Sequence, residues 1–155
     1  MADQNLIQQL KEQQDTLVFN TFSRNIALDL GNAIINLAKS KGLNIATEII
    51  FNGIVVFKHS MEGTGLRHDI WLKRKANTVA LSLGSSLLFA ETLAQDGRTL
   101  DGDLYLSYDD YVILGGGFPL IIEGVGIVGS ICVSGLPHLD DHGIIVEALQ
   151  SFLAE

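Results

Sequence analysis

Apolar residues recur every three or four positions through the first forty residues, a spacing that predicts two amphipathic helices. The first covers residues 3–14, with Asp3 as its N-cap. The second follows Ser23, ends at Gly42 and has an apolar side formed by Ile26, Leu30, Ala33, Ile34, Leu37 and Ala38. Residues 16–22, between the two helices, are rich in strand-favouring side chains, so we expect an extended connection there.

Two strand-like runs follow, covering residues 43–51 and 54–59 and separated by Asn52-Gly53. An Asn-Gly pair between such runs is a strong hairpin signal, because a type I′ turn requires positive φ at both of its central residues. We therefore predict an antiparallel hairpin in this part of the chain.

A second hairpin is predicted near the end of the chain, where Glu123-Gly124 joins the runs 118–122 and 125–133. The side chains of a strand alternate between its two faces. In the longer run, one face is expected to carry Val125, Ile127, Ile131 and Val133, and the other Gly126, Val128, Ser130 and Cys132. The small residues of the second face would let a helix or another subunit approach closely.

Helical spacing returns between the two hairpins. We expect Asp69 to cap a third helix, whose apolar residues are Ile70, Trp71, Ala76, Val79, Ala80 and Leu83. Gly84 interrupts this pattern, and Ser85 can cap a fourth helix that ends near Gln95. Residues 103–111 fit either a short helix or irregular chain.

A terminal helix follows Pro137 and is expected to begin near Leu139 or Asp140. The resulting order is helices, hairpin, helices, hairpin, helix. It contains no strand–helix–strand unit, so a doubly wound nucleotide-binding sheet is a poor fit. The predicted fold class is α+β, a largely antiparallel β-sheet flanked by helices. We expect a single domain over residues 1–155, in which residues 1–20 are an N-terminal helical extension.

Composition narrows the class of protein further. A chain of 155 residues that is 47% hydrophobic can bury a core, and its net charge of −8 argues against nucleic-acid binding. No apolar run approaches the roughly 18–20 residues of a membrane span. The polar start lacks a secretory signal, so we expect a soluble cytoplasmic protein. The single cysteine, Cys132, excludes an intrachain disulfide and is expected to be buried and reduced.

Residues 115–117 are three consecutive glycines, whose backbone amides could hold an anion. The run nevertheless lacks the spacing of a P-loop or of a dinucleotide-binding motif. Phe118-Pro119 follows directly, and a proline at the start of a strand removes one backbone donor. Tight entry of the backbone into a strand is therefore the favoured interpretation, with anion binding as the alternative.

Lys73, Arg74 and Lys75 form a basic run in an otherwise acidic chain. Neighbouring residues of a helix point in different directions, so not all three can serve one site. Trp71 and Lys75 are four positions apart, a spacing that suits a cation–π contact or a stacked ligand. Arg74 and Lys75 are our candidates for binding an anionic group, and a solvated helix face is the alternative.

His138 and His142 have the spacing of two metal ligands on one helix. Pro137 would leave the first histidine outside that helix, and no complete set of ligands accompanies the pair, so we predict no metal site. We expect His142 to be a hydrogen-bonded group at the surface or at an interface. Asp141 and His142 are also the candidate acid–base pair if the protein is an enzyme. Ser134 lacks the surroundings of a nucleophile elbow.

Several segments taken together resemble the GlcG/HbpS-like haem-degrading domain superfamily, and in particular its uncharacterised intracellular branch. They are residues 69–75 (DIWLKRK), Ser85-Ser86, residues 115–119 (GGGFP), residues 125–129 (VGIVG) and residues 133–137 (VSGLP) followed by Asp141-His142. The resemblance extends from about residue 20 to the last residue. It implies a profilin-like fold and a homo-oligomer, either a dimer or a larger ring. Because distant members bind haem, it also implies haem as a candidate cofactor, although no residue here aligns with a haem ligand.

The favoured function is the binding of a small anionic molecule, such as a carboxylate or the propionates of haem, between sheet and helix or between subunits. The candidate ligand-binding residues are Trp71, Arg74, Lys75, Gly117, Phe118 and Gly135. One alternative is an adaptor protein that recruits other proteins without a ligand. Another is a haem-degrading or small-organic-acid enzyme that uses Asp141 and His142.

Overall fold

The computed structural model describes residues 3–155, and its helices and strands follow one another in the order that the sequence predicts. The elements are α1 (Gln4–Thr16), α2 (Arg24–Ser40), β1 (Ala46–Phe51), β2 (Ile54–Ser60), α3 (Leu66–Ser82), α4 (Ser86–Asp96), β3 (Gly117–Ile122), β4 (Gly126–Ser134) and α5 (His138–Leu153). The α+β fold class is thereby confirmed. No helix in the described range is long and apolar enough to cross a membrane.

The four strands form one antiparallel sheet in the order β2-β1-β4-β3. The φ angles of Asn52 and Gly53 are 52° and 81°, so the turn of the first hairpin has the positive angles that were predicted. The two hairpins join through β1 and β4, where Phe51 pairs with Gly129. Any side chain at Gly129 would strike the carbonyl oxygen of Ile50, so glycine at this position permits the central strands to pair.

Two segments of the chain form neither a regular strand nor a regular helix. In the expected extended connection, only Phe19 bridges to the sheet, in parallel to Ile122. Its N–H donates to the carbonyl of Ile121, and its own carbonyl accepts from the N–H of Glu123, both at 2.8 Å. Residues 103–111 form turns, so irregular chain is the correct one of the two alternatives.

Helices cover both faces of the sheet, and they pack on the two faces differently. The α2–α5 face holds the larger hydrophobic core, which includes Leu30, Ile34, Ile49, Ile131, Ile145 and Leu149. On the opposite face, α3 packs Leu72 and Ala76 against Ala46 and Cys132. Burial raises the pKa of the Cys132 thiol to about 12, so this side chain is protonated at neutral pH. The prediction of a buried cysteine is confirmed.

A register shift changes the alternation that was predicted for β4. Val133 lies on the α2–α5 face and Cys132 on the α3 face, as expected. The pairing of β3 with β4 shifts between Leu120 and Ile121, which marks a β-bulge. Beyond it, Val128 packs on the α2–α5 core and does not share the face of Cys132. The prediction for Val128 was therefore wrong by one residue of register.

Three predicted N-caps are confirmed, since backbone N–H groups donate to the side chains of Asp3, Ser23 and Ser85. The cap predicted for α3 is wrong, because the helix begins at Leu66, before Asp69. Its N-cap is Gly65, whose N–H donates to Nδ1 of His68 at 2.9 Å. The histidine at the third helical position thus forms the half of a capping box in which a side chain accepts from the N-cap N–H.

The terminal helix also begins earlier than predicted, at His138 and not near Leu139 or Asp140. Pro137 precedes it as N-cap and does not shorten it, because a proline at the start of a helix removes no hydrogen bond that the helix needs. Both histidines of the His138–His142 pair therefore lie on α5.

Candidate functional site

Two of the three amides of the glycine run are bonded within the protein. The N–H of Gly115 donates to Nδ1 of His138 at 3.0 Å, and the N–H of Gly117 donates to Oγ of Ser86 at 2.9 Å. Both donors are thus occupied by acceptors of the protein itself. These bonds favour the interpretation as strand entry over the anion cradle.

Close packing explains why the run consists of glycine. A Cβ atom at Gly116, where φ is 120°, would lie 2.6 Å from both Nζ of Lys75 and the carbonyl oxygen of Val133. A Cβ atom at Gly117 would lie 2.9 Å from Cγ2 of Val79. The run therefore lets α3 and β4 approach the entry of β3 more closely than any other residue type would permit.

Lys75 lies beneath this glycine run in a buried ion pair. Its side chain is 3% exposed, and its Nζ donates to Oδ2 of Asp141 and to the carbonyl of Val133, each at 2.9 Å. The other oxygen of Asp141 accepts from the N–H of Leu136 at 2.9 Å. Burial raises the pKa of Asp141, while the ammonium of Lys75 acts in the opposite direction. The pair joins α3 to the start of α5.

His142 is buried under α1 and does not lie at the surface. It is 4% exposed, and its Nε2 is 2.7 Å from Oε1 of Gln13. Since a carbonyl oxygen only accepts, Nε2 carries the proton, and Nδ1 is a buried acceptor with no partner in the described chain. Burial, with a contribution from the charge of His138, lowers the pKa of His142 to about 4. No hydrogen bond joins His142 to Asp141, which bonds to Lys75 and to the N–H of Leu136.

This buried histidine predicts a dependence of stability on pH. The unfolded chain takes up a proton near pH 6.5, whereas the folded protein keeps His142 neutral down to about pH 4. Stability should therefore fall as the pH falls through this window, by about 3 kcal/mol from this residue alone. Urea unfolding at pH 7 and pH 4.5 or so measures the loss, and His142→Gln should make it smaller.

His59→Gln provides the control, because His59 is an exposed residue of β2. This variant should lose as much stability on acidification as the unmodified protein. An equal loss in all three proteins would show that His142 does not cause it.

The two histidines of α5 do not meet at a metal site. Nδ1 of His138 accepts from Gly115, while His142 contacts Gln13. Within residues 3–155, no group of three or more His, Cys, Asp or Glu side chains could hold a metal ion.

A cleft of about 580 Å³ lies between α3 and the β1–β2 hairpin. Ile50 and Ala76 contribute to its apolar floor. The polar residues around it are Glu48, Lys58, Asp69, Lys73, Arg74, Asn77, Asp109 and Asp110. The guanidinium carbon of Arg74 lies 5.0 Å from the centroid of the Trp71 ring, and Nε of Arg74 donates to the carbonyl of Asp109 at 3.0 Å. The cation over Trp71 is thus Arg74, where Lys75 was expected.

Charged side chains of both signs line the cleft. Nζ of Lys58 is 3.5 Å from a carboxylate oxygen of Glu48 and 3.3 Å from Oδ2 of Asp69. On the opposite side, the Arg74 contact fixes the turn that carries Asp109, and Asn77 donates to the carbonyl of the next residue at 2.9 Å. The cleft therefore carries a fixed guanidinium among side chains of both signs, with acidic residues from the hairpin, from α3 and from the turn at Asp109 and Asp110.

The structure places the candidate ligand-binding residues in three separate locations. Arg74 lines the cleft, with Trp71 beside it. The fully buried residue Phe118 lies in the interior, as do Lys75 and Gly117. Gly135 lies in the turn before α5, where its φ of 136° requires glycine. Of the predicted residues, only Arg74 lines the cleft, and Trp71 lies beside it.

Sequence reasoning missed Lys58, Glu48 and Asp69. The signal for the first two was the hairpin itself, because cross-strand neighbours can be counted outward from its turn. If residues are counted outward from the turn without a register shift, Glu48 pairs with Phe57, and the side chains of Glu48 and Lys58 lie on opposite faces of the sheet. The observed shift between Ile49 and Ile50 moves the register by one residue and brings Glu48 opposite Lys58.

The chain is an α+β domain. Its four-stranded antiparallel sheet is covered by helices on both faces, and a cleft lies between α3 and the first hairpin. Residues 22–150 match the model of the family described as "Haem degrading protein HbpS-like", and the chain belongs to this family. Helix α1 precedes the matched residues.

Relatives of the whole chain carry the family designation UPF0303. The UPF0303 protein of Yersinia pseudotuberculosis (serotype O:3, strain YPIII) is 39% identical over 152 residues, which are 96% of this chain and 89% of that protein. The UPF0303 protein YE1367 of Yersinia enterocolitica is 40% identical over 153 residues, which are 96% and 90% of the two chains. These alignments include α1.

Three solved structures show the same fold. The crystal structure of Ybr137w protein has a TM-score of 0.87 at 23% identity and covers 99% of this chain and 96% of its own. The crystal structure of HbpS has a TM-score of 0.68 at 23% identity, with coverages of 86% and 91%. The structure of the PduOC:Heme complex has a TM-score of 0.70 at 21% identity, with coverages of 84% and 94%. At these identities the likeness concerns the fold alone.

Proposed function

We propose that this protein binds a small anionic molecule in the cleft between α3 and the β1–β2 hairpin. The observation that carries the proposal is the position of Arg74, which is held against Trp71 and by the carbonyl of Asp109. Among the described residues, the terminal nitrogens of Arg74 make no hydrogen bond. A guanidinium that is fixed in this way can offer two parallel donors to a carboxylate.

The size and the lining of the cleft support a small ligand. Its volume of about 580 Å³ falls within the range of roughly 300–1,000 Å³ that is usual for ligand pockets. Lys73 adds a second cation, which forms no salt bridge within residues 3–155. Ile50 and Ala76 offer an apolar surface below these cations. The ligand therefore combines a short apolar body with an acidic group.

Haem, which the family description names, does not fit this cleft. A haem iron takes an axial ligand such as histidine, cysteine, methionine or tyrosine. None of these side chains lines the cleft in the described part of the chain. The acidic group that we propose is accordingly the carboxylate of a small organic acid.

We also propose that the protein assembles into a homo-oligomer in the cytoplasm. Ile54, Val55 and Ile70 support self-association, since these large apolar side chains of the cleft region are 49%, 50% and 46% exposed. Exposed apolar groups of this size are typical of interaction surfaces. The same surface favours an adaptor protein as the second candidate function. Light scattering tests self-association, which a monomeric mass would contradict, while an adaptor would assemble normally, bind no ligand and retain a protein partner reproducibly.

Calorimetric titration with propionate, succinate and glycolate tests the proposed ligand class. At least one of these acids should bind saturably, and Arg74→Met should weaken its binding about tenfold, because a charge-assisted hydrogen bond is lost. Arg67→Met is the matched control, since Arg67 is an exposed arginine of the same helix outside the cleft. Absence of saturable binding for every acid, or an equal effect of both substitutions, would contradict the proposal.

A further inference from the structure

Thr78 is a fully buried residue of α3 whose hydroxyl binds a turn 34 residues further along the chain. The hydroxyl accepts from the N–H of Val112 at 3.0 Å. It also lies 3.0 Å from the carbonyl oxygen of Arg74 and 3.2 Å from that of Val112, and its single proton can go to either. Val112 is itself buried, so the loss of this hydroxyl would leave its N–H without a partner.

The same turn holds the guanidinium of Arg74. Nε of Arg74 donates to the carbonyl of Asp109, three residues before Val112, at 3.0 Å. This contact is exposed, whereas the contacts between Thr78 and Val112 are buried. Water can replace either partner of an exposed hydrogen bond, but it cannot reach a buried one, which is therefore costly to break. The position of the Asp109 carbonyl thus depends on the buried contacts of Thr78.

We propose that Thr78 is a positioning residue of the cleft, a buried anchor that holds residues 109–112 against α3 and so fixes the direction of the Arg74 guanidinium. Thr78 does not line the cleft, so it acts through Arg74 and not by contact with a ligand. The effect on Arg74 follows from these contacts, and the effect on binding rests on the proposed function.

A fixed arginine binds more tightly than a mobile one. An arginine without a fixed position loses rotamer freedom when a ligand binds, which weakens binding about three- to tenfold. The anchored turn avoids this loss, because the side chain is already held before a ligand arrives.

A role in packing alone is the competing explanation of a buried threonine. In that case, replacement of Thr78 by valine would lower stability without any change at Arg74. Thr47 provides the matched control, since it is also fully buried and its hydroxyl donates to the carbonyl of Cys132 at 2.8 Å. It lies on β1 and does not line the cleft.

The fluorescence of Trp71, the only tryptophan of the chain, tests the position of Arg74, whose guanidinium carbon is 5.0 Å from the ring centroid. Arg74→Met removes the cation from the ring and defines the reference change in emission. Thr78→Val should shift the emission in the same direction, while Thr78→Ser, which keeps the hydroxyl, and Thr47→Val should not. An emission of Thr78→Val equal to that of the unmodified protein would overturn the proposal.

Calorimetry with propionate, succinate and glycolate measures the consequence for binding. For the acid that binds the unmodified protein most tightly, Thr78→Val should weaken binding about three- to tenfold, and Thr78→Ser should restore it. In an Arg74→Met background, Thr78→Val should have no further effect, because its effect passes through Arg74. A further loss of the same size in that background would contradict a positioning role.

The two measurements separate the role of Thr78 from the proposed function. If no acid binds while Thr78→Val shifts the emission of Trp71, the proposed function is wrong and the anchor stands. If an acid binds and Thr78→Val changes neither emission nor affinity, the anchor is wrong and the anion site stands.

Asn77→Ala keeps the test in place if Thr78→Val fails to fold. Nδ2 of Asn77 donates to the carbonyl of Asp110 at 2.9 Å, in an exposed contact with the same turn. The variant should shift the emission of Trp71 in the direction that Arg74→Met defines. No shift would mean that contacts with this turn do not position the guanidinium.

Discussion

Replacement of Lys75 by methionine is expected to lower the free energy of unfolding by about 3–5 kcal/mol, because it leaves Asp141 buried without its counter-charge. The ammonium of Lys75 opposes the rise of the Asp141 pKa that burial causes. Without Lys75 this pKa rises further, so the folded protein takes up a proton at Asp141 more readily. The loss of stability should therefore be largest at neutral pH and smaller as the pH falls.

Urea unfolding followed by circular dichroism measures this effect. The double variant Lys75→Met with Asp141→Asn removes both charges while it keeps an oxygen for the N–H of Leu136, and it should recover most of the lost stability. Lys73→Met changes an exposed lysine of the same helix and should cost less than about 0.5 kcal/mol. If Lys75→Met costs no more than Lys73→Met, the buried ion pair does not stabilise the fold as described.

Gly116→Ala is expected to cost about 4 kcal/mol, since two penalties add at this position. A φ of 120° strains any residue that has a Cβ atom, at roughly 1–3 kcal/mol. The added methyl group would also lie 2.6 Å from Nζ of Lys75 and from the carbonyl of Val133, a crowding that costs roughly 1–3 kcal/mol more. Thermal unfolding of the variant should show a much lower midpoint.

Gly124→Ala isolates the contribution of strain. Gly124 also has a positive φ, of 78°, but no atom lies within 4 Å of the position of an added Cβ. Its substitution should therefore cost only about 1–2 kcal/mol. Equal losses at both glycines would mean that close packing at Gly116 contributes nothing.

Local signals in the sequence predicted the frame of the fold. The turn at Asn52-Gly53, and caps such as Ser23 and Ser85, depend on neighbours a few residues away, so their outcome is readable from the chain. The boundary of α3 was missed because its N-cap, Gly65, has no side chain to signal it, and the bond from the Gly65 N–H to His68 is not a pattern we had considered.

The interior of the site required tertiary contacts that no local pattern contains. Leu72, Ala76 and Val79 form the buried stripe of α3, and Lys75 falls inside that stripe. A lysine at such a position signals a buried ion pair, and this signal was available in the sequence. Its partner Asp141, however, is 66 residues away at the start of α5, and only the packing of both helices against β4 brings the two together.

The cleft was the least predictable feature, since it arises where three separate parts of the chain meet. The hairpin carries Glu48 and Lys58, α3 carries Asp69 and Arg74, and a turn without regular structure contributes Asp109. The sequence identified the helical part through Trp71 and its basic neighbours. A shift of register in the hairpin hid the pairing of Glu48 with Lys58.

The buried cysteine can report how often α3 separates from the sheet. Cys132 lies between the sheet and α3 and is the only thiol of the chain. A thiol with a pKa of about 12 and no exposure cannot react until α3 moves away from the strands. The rate at which a thiol reagent labels Cys132 under native conditions therefore reports how often this layer separates, and a ligand that joins α3 to the hairpin would slow it.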